Sequence, residues 1–186
     1  MFMRKNFGAK PYLYPQPVLM IATYDENGNP NCMNAAWGGI CDYDKIMLDL
    51  GRHKTTDNIA QSKAFTVSVG DAEHVSSCDY VGIVSGNDVP DKFAKAGFTA
   101  VKSEFVNAPV ICELPLTLEC ELYKILDDGM YIGKIINVSA DEKYIGSDGN
   151  PDLSLFTPIT FDPFRNKYVA LGDDVADAFS IGQTIE

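Results

Sequence analysis

The stretch GRHKTTDNI, residues 51–59, places cations and hydroxyls beside the predicted start of a helix, in a chain whose formal net charge is -11. The first N–H groups of a helix lack partners within it and the helix dipole is positive there, so helix N-termini bind anions. Arg52 adds a forked donor, Lys54 a point charge, and Thr55 and Thr56 add hydroxyls. The stretch therefore predicts an anion site, although a solvated turn with a threonine cap fits the local pattern equally well.

A second stretch, NPNCMNAAWGG (residues 29–39), contains the only tryptophan, Trp37, between small residues. Small side chains on a strand let a flat ligand approach the backbone closely. Asn31 and Asn34 could bond the polar edge of a heterocycle, and Trp37 could pack on its apolar face. Taken alone, the local pattern favours the alternative, a strand with a core tryptophan at a bend.

A third stretch, VSGNDVPDKF (residues 84–93), sets Ser85 and Gly86 in a turn before a short predicted helix that carries Lys92 and Phe93. Ser, Gly, Asn and Asp are ordinary turn residues, so this segment alone indicates little more than a loop.

Together, these segments resemble a known family. Their order, GNPNCMNAAW, then HKTTDNI, then SGNDVPDKF, then APVICE followed by LEC, is similar to the flavin reductase-like family of FMN-binding split barrels, and most of all to its flavoredoxin-type members. The resemblance runs from about residue 14 to about residue 139 and is less distinct after Lys143. It implies a mainly β fold, a six-stranded Greek-key split barrel with peripheral helices, and a homodimer that holds FMN near its interface.

The resemblance also implies a role for each segment. The strand around residues 31–36 would lie against the isoalloxazine ring, with Trp37 near the ring or closing one side. The 52–56 segment would hold the 5′-phosphate, and the third segment would complete the pocket, with the partner subunit as one source of contacts. The cofactor-binding residues implied in this way are Asn31, Met33, Asn34, Ala35, Ala36, Trp37, Arg52, His53, Lys54, Thr55, Thr56, Ser85, Gly86, Lys92 and Phe93.

Composition narrows the class of protein. The 186 residues, 46% hydrophobic and 22% charged, predict one globular domain over 1–186, and the acidic balance argues against nucleic acid and anionic membrane as partners. Five cysteines without a CxxC pair predict neither a disulfide framework nor a zinc cluster, and we expect no metal site. Without a signal peptide pattern or an apolar run long enough to span a bilayer, we expect a cytoplasmic protein.

The hydrophobic pattern then predicts the elements that position these residues. We expect strands over 18–24, 45–50 and 65–69, with a hairpin at Asn27-Gly28, and a second hairpin of 116–126 and 130–140 turning at residues 127–129. A helix with a threonine or aspartate cap is predicted over 55–63, and a short one over 89–98, while 71–84 is ambiguous. Short strands and turn-rich links favour an antiparallel barrel over a doubly wound parallel sheet.

No side chain in these motifs needs to act as a nucleophile or general base, because the chemistry of a flavoprotein belongs to its cofactor. The hypothesis is an FMN-dependent oxidoreductase that takes electrons from NAD(P)H, or an electron carrier served by a redox protein. Since no GxGxxG follows a strand, a nicotinamide would bind only transiently. The alternative is a non-catalytic binding protein for a different phosphate-bearing ligand on the same barrel.

Overall fold

Strands dominate the computed structural model, which describes residues 3–126 and 129–185. Within this part of the chain the strands are β1 (Gln16–Pro17), β2 (Leu19–Tyr24), β3 (Pro30–Ala35), β4 (Gly38–Asp42), β5 (Lys45–Asp49), β6 (Ala64–Val69), β7 (Ala100–Lys102), β8 (Pro109–Ile111), β9 (Leu116–Ile125), β10 (Met130–Ala140), β11 (Ile159–Asp162) and β12 (Lys167–Ala170). The helices are α1 (Lys54–Ser62), α2 (Val75–Ile83) and α3 (Lys92–Lys95), with 3-10 turns at Glu142–Tyr144 and Ile181–Thr184. None of the helices in the described ranges has the length and apolarity to cross a bilayer.

The main sheet curls on itself at a bend between β3 and β4. Its seven strands run in the order β3-β2-β6-β9-β10-β5-β4, so β3 and β4 form its two edges although only two residues separate them in sequence. At the bend, a Cβ on Gly38 would lie 2.6 Å from Leu48 of β5 and 3.1 Å from Leu19 of β2. With β3 and β4 counted as one bent strand, six strands form the curled sheet, which confirms the predicted mainly β split barrel.

The barrel interior is filled by apolar side chains from facing strands. Ile21, Leu48 and Phe65 are buried there, and Ile59 brings one face of α1 onto the same cluster. Gly133 of β10 is required by this packing, because a Cβ at that position would lie 2.4 Å from the ring of Phe65. In a second apolar cluster, Val81 of α2 and Phe93 of α3 pack against the outside of the sheet. Burial of these faces is the main stabilising contribution.

Both predicted hairpins are confirmed. Strand β2 pairs with β3, and the turn between them has Gly28 at φ +80 while the Asp25 carboxylate accepts from the backbone N–H of Asn27 and Asn29. Strand β9 pairs with β10 over most of their length, with two register shifts. Of the turn predicted at 127–129, residues 127 and 128 lie outside the described residues.

The helices differ in detail from the prediction. A threonine or aspartate cap for α1 is wrong: His53 is the N-cap, and Thr56 reaches back so that its hydroxyl accepts from the His53 N–H at 2.9 Å. The helix predicted over 89–98 is reduced to the single turn of α3, which is followed by Gly97 at φ +81. The ambiguous segment 71–84 contains α2, with Cys78 and Val81 on its buried side.

A small second sheet, β1-β11-β12, joins an early segment of the chain to a late one and was not predicted. Gln16 pairs with Phe161 across 145 positions of sequence, a contact that no local pattern reveals. The Tyr14 hydroxyl and the Arg165 guanidinium donate to the fully buried Asp162, and these bonds lower the pKa of that carboxyl to about 2. The early part of the chain is thereby tied to its later part.

Candidate functional site

A cleft of about 180 Å³ lies where β3 meets the start of α1, the end of α2 and the start of α3. Its walls combine amide, hydroxyl and ammonium groups with a few apolar side chains. The lining residues are Asn31, Met33, Asn34, His53, Lys54, Thr55, Val81, Gly82, Ile83, Val84, Ser85, Gly86 and Lys92.

The first turn of α1 forms one end of this cleft. Within the described residues, the backbone N–H groups of Lys54 and Thr55 have no protein partner, as expected at the start of a helix. The Thr55 hydroxyl accepts from Asn31 Nδ2 at 2.7 Å, which leaves its own hydrogen free to donate. Asn58 fixes the helix on the barrel by donating to Thr23 Oγ1 at 3.0 Å. This end therefore presents several donors, the arrangement that holds a phosphate.

Lys54 contributes the charge at this end. Its Nζ lies 3.4 Å from Asp25 Oδ2, and the Lys54 side chain is mostly buried. Burial of Asp25 raises the pKa of its carboxyl, but hydrogen bonds from Asn29, Asn27 and Lys54 outweigh that effect and leave the pKa below its ordinary value. Asp25 thus stays ionised and orients Lys54 at the cleft.

Lys92 is a buried cation on the opposite wall. It is only 3% exposed, and its Nζ donates to the carbonyl oxygens of Val81 at 3.0 Å and Val84 at 2.8 Å, at the end of α2. Burial lowers the pKa of Lys92, and the neighbouring positive charge of Lys54 lowers it further. An ammonium has three donors, so one N–H remains for a ligand. A buried cation with only carbonyl partners favours an anion beside it.

The Ser85-Gly86 turn closes tightly on β3. A Cβ at Gly86 would lie 2.2 Å from Asn31 Oδ1 and 3.3 Å from Lys54 Cδ, so only glycine lets the loop approach this closely. Gly82 of α2 is similarly close to Asn34, with a Cβ expected 3.0 Å from that side chain's own Cβ. These glycines set the width of the cleft.

A shallower groove of about 230 Å³ continues the cleft toward the bend between β3 and β4. Met33, Asn34 and His53 line both spaces, which makes them continuous. The groove is lined by Met33, Asn34, Ala35, Ala36, Trp37, Asp49, Leu50, Gly51 and His53. Trp37 is 55% exposed, so the alternative interpretation of a core tryptophan is wrong.

The cleft and groove bring together all but three of the residues that the sequence singled out. Arg52 points away, with its side chain 91% exposed and its Nε 3.9 Å from Asp57. Thr56 is buried with its hydroxyl bonded to the His53 backbone, and Phe93 lies in the apolar cluster beneath α2 and α3. The cofactor contacts of all fifteen residues stay predictions.

Sequence reasoning missed the wall formed by the last turn of α2. Gly82, Ile83 and Val84 line the cleft, and Asp25 orients Lys54, yet none of the four stood out in the sequence. Gly82 was the one available signal in the sequence, since a glycine near a helix end often marks a place where two parts of the chain approach each other closely.

Comparison with known proteins identifies the family. The model of the flavin reductase like domain matches residues 12–148, most of the chain. The chain therefore belongs to the flavin reductase-like family, and its structural neighbours place it with the flavoredoxin type.

The flavoredoxin of Desulfovibrio vulgaris (Miyazaki F) is 38% identical to this chain, with a TM-score of 0.93, and the match covers 97% of this chain and 100% of that one. The flavoredoxin from Methanosarcina acetivorans shares the fold, at 24% identity and a TM-score of 0.88 over 100% of both chains. An uncharacterized protein of Archaeoglobus fulgidus is 29% identical over 149 residues, 77% of this chain and 81% of that one. The family and the likeness to the flavoredoxin of Desulfovibrio vulgaris (Miyazaki F) support a flavin-binding redox role.

The residues present fit a flavin phosphate. The donors at the start of α1, the Lys54 and Lys92 ammonium groups and the glycine-walled turn form an anion cradle at one end. A strand of small residues and an exposed indole form the other end, where a flat ring would be accommodated. A polar end that is continuous with a less polar end suits, in kind, a ligand made of a phosphate and a flat ring.

Proposed function

We propose that this protein binds FMN and passes electrons through it from a reduced donor, NAD(P)H or a redox protein, to an acceptor. The family supports a flavin-binding redox role, and the choice of FMN is supported by the anion cradle at the start of α1. One neighbour, from Shewanella baltica, is described as an FMN-binding domain of a flavin reductases-like enzyme, at 20% identity.

The observation that carries the proposal is the set of hydrogen-bond donors that line one cleft. The free N–H groups of Lys54 and Thr55, the Thr55 hydroxyl and the Lys54 ammonium come from the start of α1, and the Lys92 ammonium comes from α3. Asn31 of β3 and Gly86 of the turn before α3 pack against this end of the cleft. In a chain with a formal net charge of -11, such a concentration of donors indicates a focused anion site.

Bound FMN supplies the electron transfer itself. The residues of this chain bind and orient it: Lys54, Thr55 and Lys92 hold the phosphate, and the strand from Asn31 to Ala36 lines the ring. The Asn34 side chain is held in place because its Nδ2 donates to the Cys78 carbonyl at 3.1 Å. Burial raises the pKa of the neighbouring Cys32 thiol, so this group stays neutral beneath the strand.

The proposal includes a homodimer with FMN near its interface. Its support is the exposed ring end: Trp37 and the neighbouring groove are open in a single chain, whereas a flavin ring is normally shielded from water on at least one face. We also expect a cytoplasmic location. If NAD(P)H is the electron donor, we expect it to bind only transiently.

Absorbance spectroscopy of the purified protein tests the proposal. We expect a bound flavin with visible absorbance that extraction identifies as FMN. Anaerobic titration with NADH and NADPH then separates the donors, because bleaching indicates a nicotinamide-dependent reductase and its absence indicates an electron carrier. A colourless protein that gains no flavin when offered FMN would contradict the proposal and favour a non-catalytic binding protein for another phosphate ligand.

A further inference from the structure

The turn between β6 and α2 carries three side chains that can ligate a metal ion. Asp71, Glu73 and His74 each present one ligand atom, and these three atoms lie within 4.8 Å of one another. The cluster is separate from the flavin cleft, which is lined by the opposite end of α2. The expectation of no metal site was based on cysteine spacing, a pattern that does not reveal a cluster of carboxylates and a histidine.

Asp71 is a buried carboxylate with one uncommitted oxygen. It is 2% exposed, and its Oδ1 accepts from the backbone N–H of His74 at 2.9 Å and from His74 Nδ1 at 2.8 Å. Within the described part of the chain, its Oδ2 accepts no hydrogen bond. Buried charges are paired or coordinate metal ions, and an imidazole is a counter-charge only when it is protonated. A buried carboxylate with an oxygen to spare therefore favours a cation beside it.

The backbone on both sides of Asp71 is held by the segment before β11. The Ala72 N–H donates to the Thr157 carbonyl at 2.9 Å, and the Ile159 N–H donates to the Gly70 carbonyl at 3.1 Å. The carboxylate is thus positioned before a ligand arrives, which reduces the entropy that binding costs.

The spacing and the donor types suit one metal ion. Asp71 Oδ1 and His74 Nδ1 are 2.8 Å apart, close to the separation of neighbouring ligands that each lie about 2.1 Å from one ion. The ion would replace the hydrogen between these two atoms, and that hydrogen moves to the other ring nitrogen. Glu73 is exposed, so its carboxylate is free to close on the same ion. An imidazole with two carboxylates suits a divalent transition-metal ion, whereas an all-oxygen set suits Ca²⁺ or Mg²⁺.

The local charge also favours a cation. Helix α2 begins at Val75, and the start of a helix carries about half a positive charge. The ionised carboxylates of Asp71 and Glu73 supply two full negative charges and outweigh it. The formal net charge of -11 on the whole chain acts in the same direction.

We propose that Asp71, Glu73 and His74 bind one divalent transition-metal ion, with water completing its coordination. The ion joins the end of β6 to the start of α2, so its role is structural. The proposed flavin site uses none of these three residues, and the two proposals can fail separately.

Calorimetric titration of the full-length protein tests the proposal, with Zn²⁺ alone as the probe after treatment with a chelator and dialysis. His74→Gln and Glu73→Gln each remove one ligand, and the exposure of Glu73 means that its variant keeps the fold. The controls are His53→Gln, which removes the only other histidine, and Glu104→Gln, which changes another exposed glutamate. Thermal unfolding of the same proteins is measured with and without Zn²⁺.

We expect the wild type to bind one Zn²⁺ per chain and to gain thermal stability from it. Each site variant should raise the Zn²⁺ dissociation constant at least about tenfold, while both controls match the wild type. Three results overturn the proposal: a wild type that binds no Zn²⁺, a site variant that binds Zn²⁺ as tightly as the wild type, or a control that is weakened as much as the site variants. In each of these cases the contact between Asp71 and His74 only closes the turn before α2.

Discussion

The two ends of the proposed flavin site are built by opposite means. At the phosphate end, Asn31, Thr55 and Gly86 interlock, and Lys92 is buried against the end of α2. At the ring end, Trp37 projects from the bend between β3 and β4 and is more than half exposed. One end is preorganised within a single chain, whereas the other end is open in a single chain. The difference indicates that affinity comes from the phosphate end, since preorganised donors lose little entropy on binding.

The largest effect is expected from removing the phosphate donors. In Lys54→Ala/Thr55→Ala, the FMN dissociation constant should rise at least about tenfold, because each hydrogen bond to a charged group contributes about 1.5–3 kcal/mol. Equilibrium titration of the flavin-free protein measures this change. The matched control is Thr157→Ala/Lys167→Ala, which alters exposed residues far along the chain. Equal FMN affinity in the two variants would contradict the phosphate assignment.

A smaller loss of affinity is expected for Gly86→Ala. The added Cβ would meet Asn31 Oδ1, and the Asn31 amide is held in place by its Nδ2, which donates to Thr55 Oγ1, so the loop must move away from the cleft. Overpacking of this kind costs about 1–3 kcal/mol, which corresponds to an FMN affinity reduced about fivefold or more. Gly172→Ala serves as the control, because a Cβ there meets nothing within 4 Å. If both variants bind FMN like the wild type, the tight approach at Gly86 has no role in the site.

The next prediction concerns the stability of the folded protein and uses the variant Lys92→Met at the same end of the site. Losing the two bonds to Val81 and Val84 should lower the free energy of unfolding at neutral pH by about 1–3 kcal/mol, as measured by urea denaturation. The pKa of Lys92 is lower in the folded state than in the unfolded one, so the unfolded chain binds more protons as pH rises through the folded pKa toward 10.5. Over that window this residue makes stability rise with pH.

The variant should lack this rise, so the stability difference between wild type and Lys92→Met should widen with increasing pH. Lys92→Arg provides the charged control, since its guanidinium stays protonated throughout. A difference that stays constant across the alkaline range would show that Lys92 is not desolvated as the structure has it.

The smallest effect is expected at the open end. Trp37→Ala should shift the visible absorbance bands of bound flavin and weaken binding by about 0.5–1.5 kcal/mol, the contribution of an aromatic contact. Tyr43→Ala is a suitable control, because Tyr43 is fully exposed on the turn after β4. A flavin spectrum unchanged by loss of Trp37 would place the ring away from the bend.

The sequence predicts elements that depend on local patterns, and it does not predict features that depend on contacts between distant parts of the chain. The β9–β10 hairpin follows from local alternation and β2 from a short apolar, β-branched run, and the predicted start of α1 lies within one residue of the observed one. The hydrogen bond from the His53 N–H to the Thr56 hydroxyl could not be predicted from the sequence, because a threonine in the first turn of a helix can bond either to the backbone or to a ligand. The pairing of β1 with β11 depends on contacts between distant parts of the chain.

The types and order of the residues predicted which segments form the cleft. They did not predict how exposed each side chain is in the folded protein. The sequence placed Phe93 with Lys92, but at the start of α3 one side chain turns into the apolar cluster and the other toward the cleft. The exposure of Trp37 depends on the bend that Gly38 permits between Leu19 and Leu48, which is a property of the folded barrel. Such outcomes are decided by tertiary packing and are invisible to local pattern.

The most direct test of the account compares FMN with riboflavin, which has the same ring without the phosphate. Flavin-free protein is titrated with each ligand under identical conditions, and both dissociation constants are measured. If the phosphate end supplies the affinity, FMN should bind at least about a hundredfold more tightly than riboflavin, since two or more charged hydrogen bonds are lost with the phosphate. Equal affinities for FMN and riboflavin would contradict the claim that the start of α1 holds the flavin phosphate.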